Sequence, residues 1–270
     1  MSHYLMANYQ WYERDREVEQ VVRWGTELDR LYPDCRLVAV GQSAAWMVHV
    51  AGEIRRRQSR PENCTIIPFS GNFMNRAHRP GARYPENTWS SDFTPDESKP
   101  WPKPEHRRQY FNHLAAQGCR PAQIAADHRD GLKTVFVDMA ETARGIASFM
   151  TLYCQEARQD GVKTTLLQAA SFYIYDSFGT LDQAAVTLRD PEGEAYDVPV
   201  TARVLNSEER FTMKLVAGGN ALDAKSSRLA PYYNLTSRNP EPQEAGNQAL
   251  QNTIRASLDS ALQKHLSPAL

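Results

Sequence analysis

No stretch of this chain approaches the roughly 18 consecutive apolar residues that a membrane-spanning helix needs. Residues 1–16 are polar and aromatic, without the apolar centre of a secretory leader. Both absences lead to the expectation of a cytoplasmic protein with no membrane partner; delivery to another cell stays open, because not every export signal is apolar. An excess of one charge is lacking too. Lys and Arg number 31, Asp and Glu 32, for a formal net charge of -1. That balance announces neither a nucleic-acid surface nor an acidic disordered tail. The nearest thing to a charge block, Arg55-Arg56-Arg57, reads as the solvated end of a helix, where the dipole favours cations. Cysteine is sparse: Cys35, Cys64, Cys119 and Cys154 form no CxxC pair. They read as reduced thiols, two or three of them buried, and not as a zinc set. His78, His106, His113 and His128 make no metal spacing; His106 and His113 share a helix face, and two histidines do not make a site. No internal repeat or low-complexity run is present.

What the chain does have is 270 residues, 41% of them hydrophobic, enough for one substantial core. In residues 13–31, Val18, Val21, Val22, Leu28 and Leu31 recur near helical spacing, and Pro33 closes the segment. Arg36-Leu37-Val38-Ala39-Val40 is a short β-branched run that reads as a buried strand, broken by Gly41-Gln42-Ser43. A helix over 44–57 and a strand over 64–69 follow. Residues 72–104 show no period and are rich in Pro, Gly, Arg, Ser and Trp, which reads as a long loop, either a surface excursion or a lid. Helices are expected over 106–118 and 121–130. Lys133-Thr134-Val135-Phe136-Val137 is the clearest strand, 138–145 a polar turn, 146–157 a helix and 162–169 another strand. Strand, helix and strand in this order call for right-handed crossovers and a parallel sheet.

Beyond residue 176 the texture changes. Residues 185–189 and 198–204 alternate around Asp190-Pro191-Glu192-Gly193 and read as a β-hairpin. Residues 211–216 read as a third antiparallel strand, 231–244 as a loop and 245–266 as a final helix. The expected organisation is an α/β core over 1–175, with a parallel sheet flanked by helices. A β-rich appendage over 176–220 follows, then a loop and C-terminal helix over 221–270.

Ligands of open parallel sheets bind beyond the carboxyl ends of the strands. Two turns qualify, 41–45 and 138–145. Each precedes a helix whose free N–H groups attract anions, and Gly41, Ser43, Ala44, Thr142, Ala143 and Gly145 are small or hydroxyl-bearing. An apolar strand, then Asp138, then Thr142-Ala143-Arg144-Gly145 and a helix resembles the phosphoribosyl-diphosphate-binding motif of type I phosphoribosyltransferases. The turn Gly41-Gln42-Ser43-Ala44-Ala45 resembles that family's diphosphate loop, and the stretch between the two falls where the family carries a flexible catalytic loop. The resemblance covers about residues 30–175. Two positions depart from the pattern: Met139 stands at the second acidic position, and Arg144 where a glycine is usual. An arginine there either blocks the phosphate or points outward and adds charge to it.

The resemblance implies a phosphoribosyltransferase-like fold that binds phosphoribosyl diphosphate or a nucleotide and transfers the phosphoribosyl group to a small, unidentified acceptor. Asp138 would hold the ribose hydroxyls, and Glu141, Thr142, Ala143, Arg144 and Gly145 the 5′-phosphate. Gly41, Gln42, Ser43 and Ala44 would hold the diphosphate, with Mg²⁺ carried on it rather than on side chains. Arg76, Arg79 and Arg83 are the basic candidates for the diphosphate. Acceptor choice would come from a hood, either the N-terminal segment or residues 176–220, and a homodimer is one expectation. Two rivals stand beside this. One is a non-catalytic nucleotide-binding or partner-binding protein on the same fold, using Trp89, Trp101, Tyr232 and Tyr233. The other is a serine hydrolase, because Gly41-Gln42-Ser43-Ala44-Ala45 is close to G-x-S-x-G, with Asp138 as acid and His265 as the only later histidine.

Overall fold

Helix α1 (Asp15–Leu31) starts on acidic residues and ends on Arg30, and buries Val18, Val21, Val22, Trp24 and Leu28. Strand β1 (Arg36–Val40) is buried from its second residue onward. Helix α2 (Ala45–Arg57), strand β2 (Cys64–Ile67), strands β3 (Met74–His78) and β4 (Trp89–Pro95), and helices α3 (Pro104–Ala116) and α4 (Pro121–Arg129) follow. The second half holds β5 (Thr134–Ala140), α5 (Arg144–Gln159), β6 (Gln168–Tyr173), β7 (Ala185–Arg189), β8 (Ala195–Val204), α6 (Ser207–Gly219) and α7 (Glu244–Leu266). This computed structural model describes residues 11–41, 44–67, 69, 71–78, 89–140, 143–173, 185–219 and 244–266.

The strands form one eight-stranded sheet in the order β2-β1-β5-β6-β8-β7-β4-β3. β2, β1, β5, β6 and β8 run parallel. The mixed α/β class and the parallel sheet flanked by helices are therefore as the strand–helix alternation implies. Side chains alternate across a strand, and the two faces fill two apolar clusters. Leu37, Ala39, Val135, Val137 and Met139 face α1, α2, α6 and α7. Val38, Val40 and Phe136 face α3, α4 and α5.

Every residue of α5 from Ile146 to Gln155 is buried. A helix sheltered on all sides needs cover on all sides. Phe149 packs on Phe136 of β5 with ring centroids 5.1 Å apart. A small apolar cavity of about 20 Å³ is lined by Ala143, Ile146, Ala147 and Met150 together with Phe93 of β4, Val186 and Leu188 of β7 and Val198 and Val200 of β8. One helix thus meets β5 and also strands well along the same sheet, which requires the sheet to curl about it with the usual strand twist.

Four expectations are corrected. The 72–104 stretch carries β3 and β4, an antiparallel pair with an irregularity between Arg76 and His78. β3 is the edge strand and β4 the next one in, and among their described side chains only Met74 and Phe93 are buried, so no apolar run marks them. The β7–β8 hairpin exists, but β8 pairs with β6 and β7 with β4. It is therefore part of the one sheet and not an appendage, because β6 would otherwise be an unpaired edge. The strand placed at 162–169 begins instead at Gln168, after a 3₁₀ turn over Thr164–Leu166. Residues 211–216 belong to helix α6. The reason is a capping box: Asn206 Oδ1 accepts from the Glu209 N–H at 3.0 Å and Glu209 Oε2 from the Asn206 N–H at 2.9 Å. Glu209 also accepts from Arg203 at 2.7 Å and Trp24 Nε1 at 3.3 Å, which ties α6 to β8 and α1. Asn206→Ala is expected to destabilise by about 1 kcal/mol, read as a lower urea midpoint with unchanged slope.

The four thiols are free, with Cys119 and Cys154 buried. Burial pushes the Cys64 thiol up to about 12 and the Cys119 thiol up to about 11. Among the described residues no helix is long and apolar enough to cross a membrane. Residues 231–243 of the expected loop, with Tyr232 and Tyr233, lie outside the described residues, and Glu244 already belongs to α7.

Candidate functional site

β1 connects to β2 on one side of itself, while the later strands β5, β6 and β8 are laid down on the other. The carboxyl ends of β1 and β5 therefore flank the point where the winding reverses, the place where α/β sheets open a crevice. Both turns singled out in the sequence end there.

On the β1 side, Gly41 has φ of +76° and donates its N–H to the Ile67 carbonyl at 2.9 Å. A β-carbon at this position would stand 2.3 Å from the Phe69 carbonyl oxygen, so only glycine fits. Ala44 is buried and its carbonyl accepts the first bond of α2, from the Val48 N–H at 3.1 Å. Gln42 and Ser43 lie outside the described residues.

On the β5 side, the strand runs to Ala140, so Asp138 is a strand residue and not the first residue of a turn. It pairs with Ser171 of β6 and is 7% exposed. Alternation puts it on the Phe136 face, beneath α5. Its Oδ2 lies 3.8 Å from the position a β-carbon on Gly145 would occupy. Met139 points the other way, into the α1–α2 cluster, and is 4% exposed. Ala143 is buried in the left-handed conformation at φ +59°, and opens α5 without a side-chain cap. The positive end of the helix dipole and its first-turn amides are thus directed at the crevice. Glu141 and Thr142 lie outside the described residues.

Arg144 points outward. Its Nε donates to the Met74 carbonyl at 2.8 Å and its Nη2 to Asp96 Oδ2 at 2.6 Å. Ser148, one turn further on, accepts from the Phe73 and Met74 N–H groups at 3.0 and 3.1 Å and donates to the Arg144 carbonyl at 2.7 Å. Hydrogen bonds from Ser98 hold the Asp96 carboxyl below its ordinary range, with Arg144 adding to the effect. These bonds seat residues 71–74 beside the first turn of α5, with the Gly71 carbonyl 3.7 Å from a β-carbon position on Gly145. Gly71, Asp96 and Ser148 were not singled out as site residues. Of these only Gly71 carries a sequence signal, as the break after a strand.

Arg76 sits in β3 opposite Phe93; Arg79 and Arg83 lie outside the described residues. Trp101 is partly buried and packs edge-on against Phe73, with centroids 4.8 Å apart. Among the described residues no group of His, Cys, Asp and Glu is arranged to hold a metal. Of the hydrolase candidates, Ser43 lies outside the described residues and the other two lie apart. His265 lies on α7, which packs on the α1 side of the sheet, whereas Asp138 is on the α5 side.

Comparison of the chain with protein-family models, with curated proteins and with solved structures finds no match.

Proposed function

We propose that the protein binds a ribose 5-phosphate-type ligand, phosphoribosyl diphosphate or a nucleotide, in the crevice between β1 and β5, and transfers the phosphoribosyl group to a small acceptor. The observation that carries this reading is the meeting at one crevice of a buried carboxylate, Asp138, with the uncapped N-terminus of α5. Amides and dipole suit the phosphate. The Asp138 carboxylate accepts from hydroxyls and suits the ribose. Gly41 lets the Phe69 carbonyl close against the end of β1, which fixes that side of the crevice. A magnesium ion bound here would be carried on diphosphate oxygens rather than in a protein-built cage. With such an ion bound, it supplies charge neutralisation to the leaving diphosphate. The chain's own residues position the sugar and screen it from water, and Asp138 sets the orientation of the ribose.

A second reading, a nucleotide-binding protein that performs no transfer, is favoured by Met139. The second acidic position of the resembled motif is packed into the core on the far face of the sheet. Calorimetry with phosphoribosyl diphosphate, with and without Mg²⁺, tests both. Asp138→Asn is expected to weaken binding by about tenfold or more while melting like the wild type. A folded wild-type protein that takes up no phosphoribosyl diphosphate sinks the first reading. Binding without release of pyrophosphate, across nucleobases and amines as acceptors, selects the second.

A further inference from the structure

Arginine is an unexpected residue to open a helix, because its charge is repelled by the positive end of the dipole. Arg144 does so here, and all of its described bonds lead away from the helix, to Met74 and Asp96. We propose that Arg144 and Asp96 are a positioning pair. With Ser148 they hold residues 71–74 as the outer wall of the anion crevice, and so set the width of its mouth. This rests on the reading of the crevice as a phosphate site.

The geometry has three parts. Arg144 reaches the wall from α5 through a forked contact, one arm on a backbone carbonyl and one on the Asp96 carboxylate. Ser148 fixes the Phe73 and Met74 amides to the next turn of the same helix. The Asp96 N–H closes the loop by donating to the Phe73 carbonyl at 2.9 Å. The wall therefore moves with the first two turns of α5 or not at all. Its position matters because the Gly71 carbonyl lies beside Gly145. A wall released outward admits water and loses the close fit; one displaced inward sets a carbonyl oxygen against the phosphate.

Charge and position make opposite predictions for Asp96→Asn, which separates them. The substitution removes a negative charge near an anion site, so Coulomb attraction alone would tighten anion binding. Asparagine keeps the carbonyl oxygen that Ser98 uses and loses the charged acceptor for Arg144. Arg144→Lys keeps the charge but cannot make the fork. The positioning role predicts that both variants bind inorganic pyrophosphate about tenfold more weakly than the wild type. It also predicts that the Phe73 and Met74 amides exchange hydrogen about tenfold faster in the ligand-free variants. A structural role alone would lower the melting temperature and leave the affinity of the folded protein unchanged. Affinity equal to or tighter than wild type in either folded variant, or unchanged amide exchange, overturns the pair. Wild-type protein that takes up no pyrophosphate overturns the crevice reading and this proposal with it, whereas wild-type binding with unaffected variants overturns this proposal alone.

Discussion

Arg55→Met is expected to lower the stability of the fold by about 3–5 kcal/mol, measured as a shift of the urea midpoint at neutral pH. Arg55 is 1% exposed although it sits among three consecutive arginines that read as a solvated helix end. Its Nε donates to Asp29 Oδ1 at 2.7 Å, Nη2 to the Tyr32 carbonyl at 2.6 Å, and Nη1 to the carbonyls of Cys35 at 2.8 Å and Glu62 at 3.2 Å. One guanidinium thus gathers the end of α1, the entry to β1 and the entry to β2. Methionine fills much of the volume but takes the guanidinium donors from the Cys35 and Glu62 carbonyls, each costing about 1–3 kcal/mol if it stays dry, while the Tyr32 carbonyl keeps the Cys35 N–H at 3.3 Å. Asp29 keeps Arg60, whose Nη1 and Nη2 donate to it at 2.8 and 3.2 Å, so the carboxylate is not stranded and the loss stays within the stated range. Lysine is not expected to rescue, since one ammonium cannot serve this spread of acceptors. Arg57→Met supplies the contrast: its partner is Asp259 on the surface of α7, and the expected loss is under about 1 kcal/mol. Equal losses for the two substitutions would mean that Arg55 is a surface charge after all.

Arg55 also shows where sequence reasoning stops. Helical spacing from Val48 and Ala51 puts position 55 on the buried stripe, so the signal was present, but a charge is ordinarily assigned to solvent. Apolar periodicity made α1, β1, α2, β5 and α5 legible, because their residues are buried in the core and a core demands a repeating pattern. β3 and β4 left no such trace. They are the last two strands at one end of the sheet and are held by backbone pairing and by Ser148 and Arg144, partners distant in sequence. Helix α6 was legible in principle through Asn206-Ser207-Glu208-Glu209, a capping box. The β-branched and aromatic residues of 211–216 point instead to a strand. In the site, Gly41, Asp138 and the start of α5 follow from strand–turn–helix order alone. Asp96 does not: nothing local distinguishes an aspartate that meets Arg144 across the fold from one that only turns a loop.

Gly41→Ala carries the second large effect, and it joins the fold to the crevice. Two costs add. The left-handed conformation at φ +76° penalises any β-carbon by about 1–2 kcal/mol. The collision with the Phe69 carbonyl at 2.3 Å forces a backbone shift of the kind that costs about 1–3 kcal/mol. The expected total is about 2–5 kcal/mol. The two terms can be separated, because Gly131 has φ of +91° and nothing within 4 Å of its would-be β-carbon. Gly131→Ala should therefore show the conformational cost alone, and the difference between the two variants measures the collision. That difference does not stay local. Phe69 packs its ring against Phe149 of α5 at 5.3 Å and against Tyr110 of α3 at 6.2 Å. Its displacement reaches the helix whose N-terminus opens on the crevice and the 71–74 wall that follows it in the chain. Phosphoribosyl diphosphate binding by the folded fraction should accordingly fall by about tenfold or more in Gly41→Ala and stay at the wild-type value in Gly131→Ala. Equal stability loss in both would mean the Phe69 carbonyl yields freely. Equal binding would mean that the end of β1 does not shape the ligand's place.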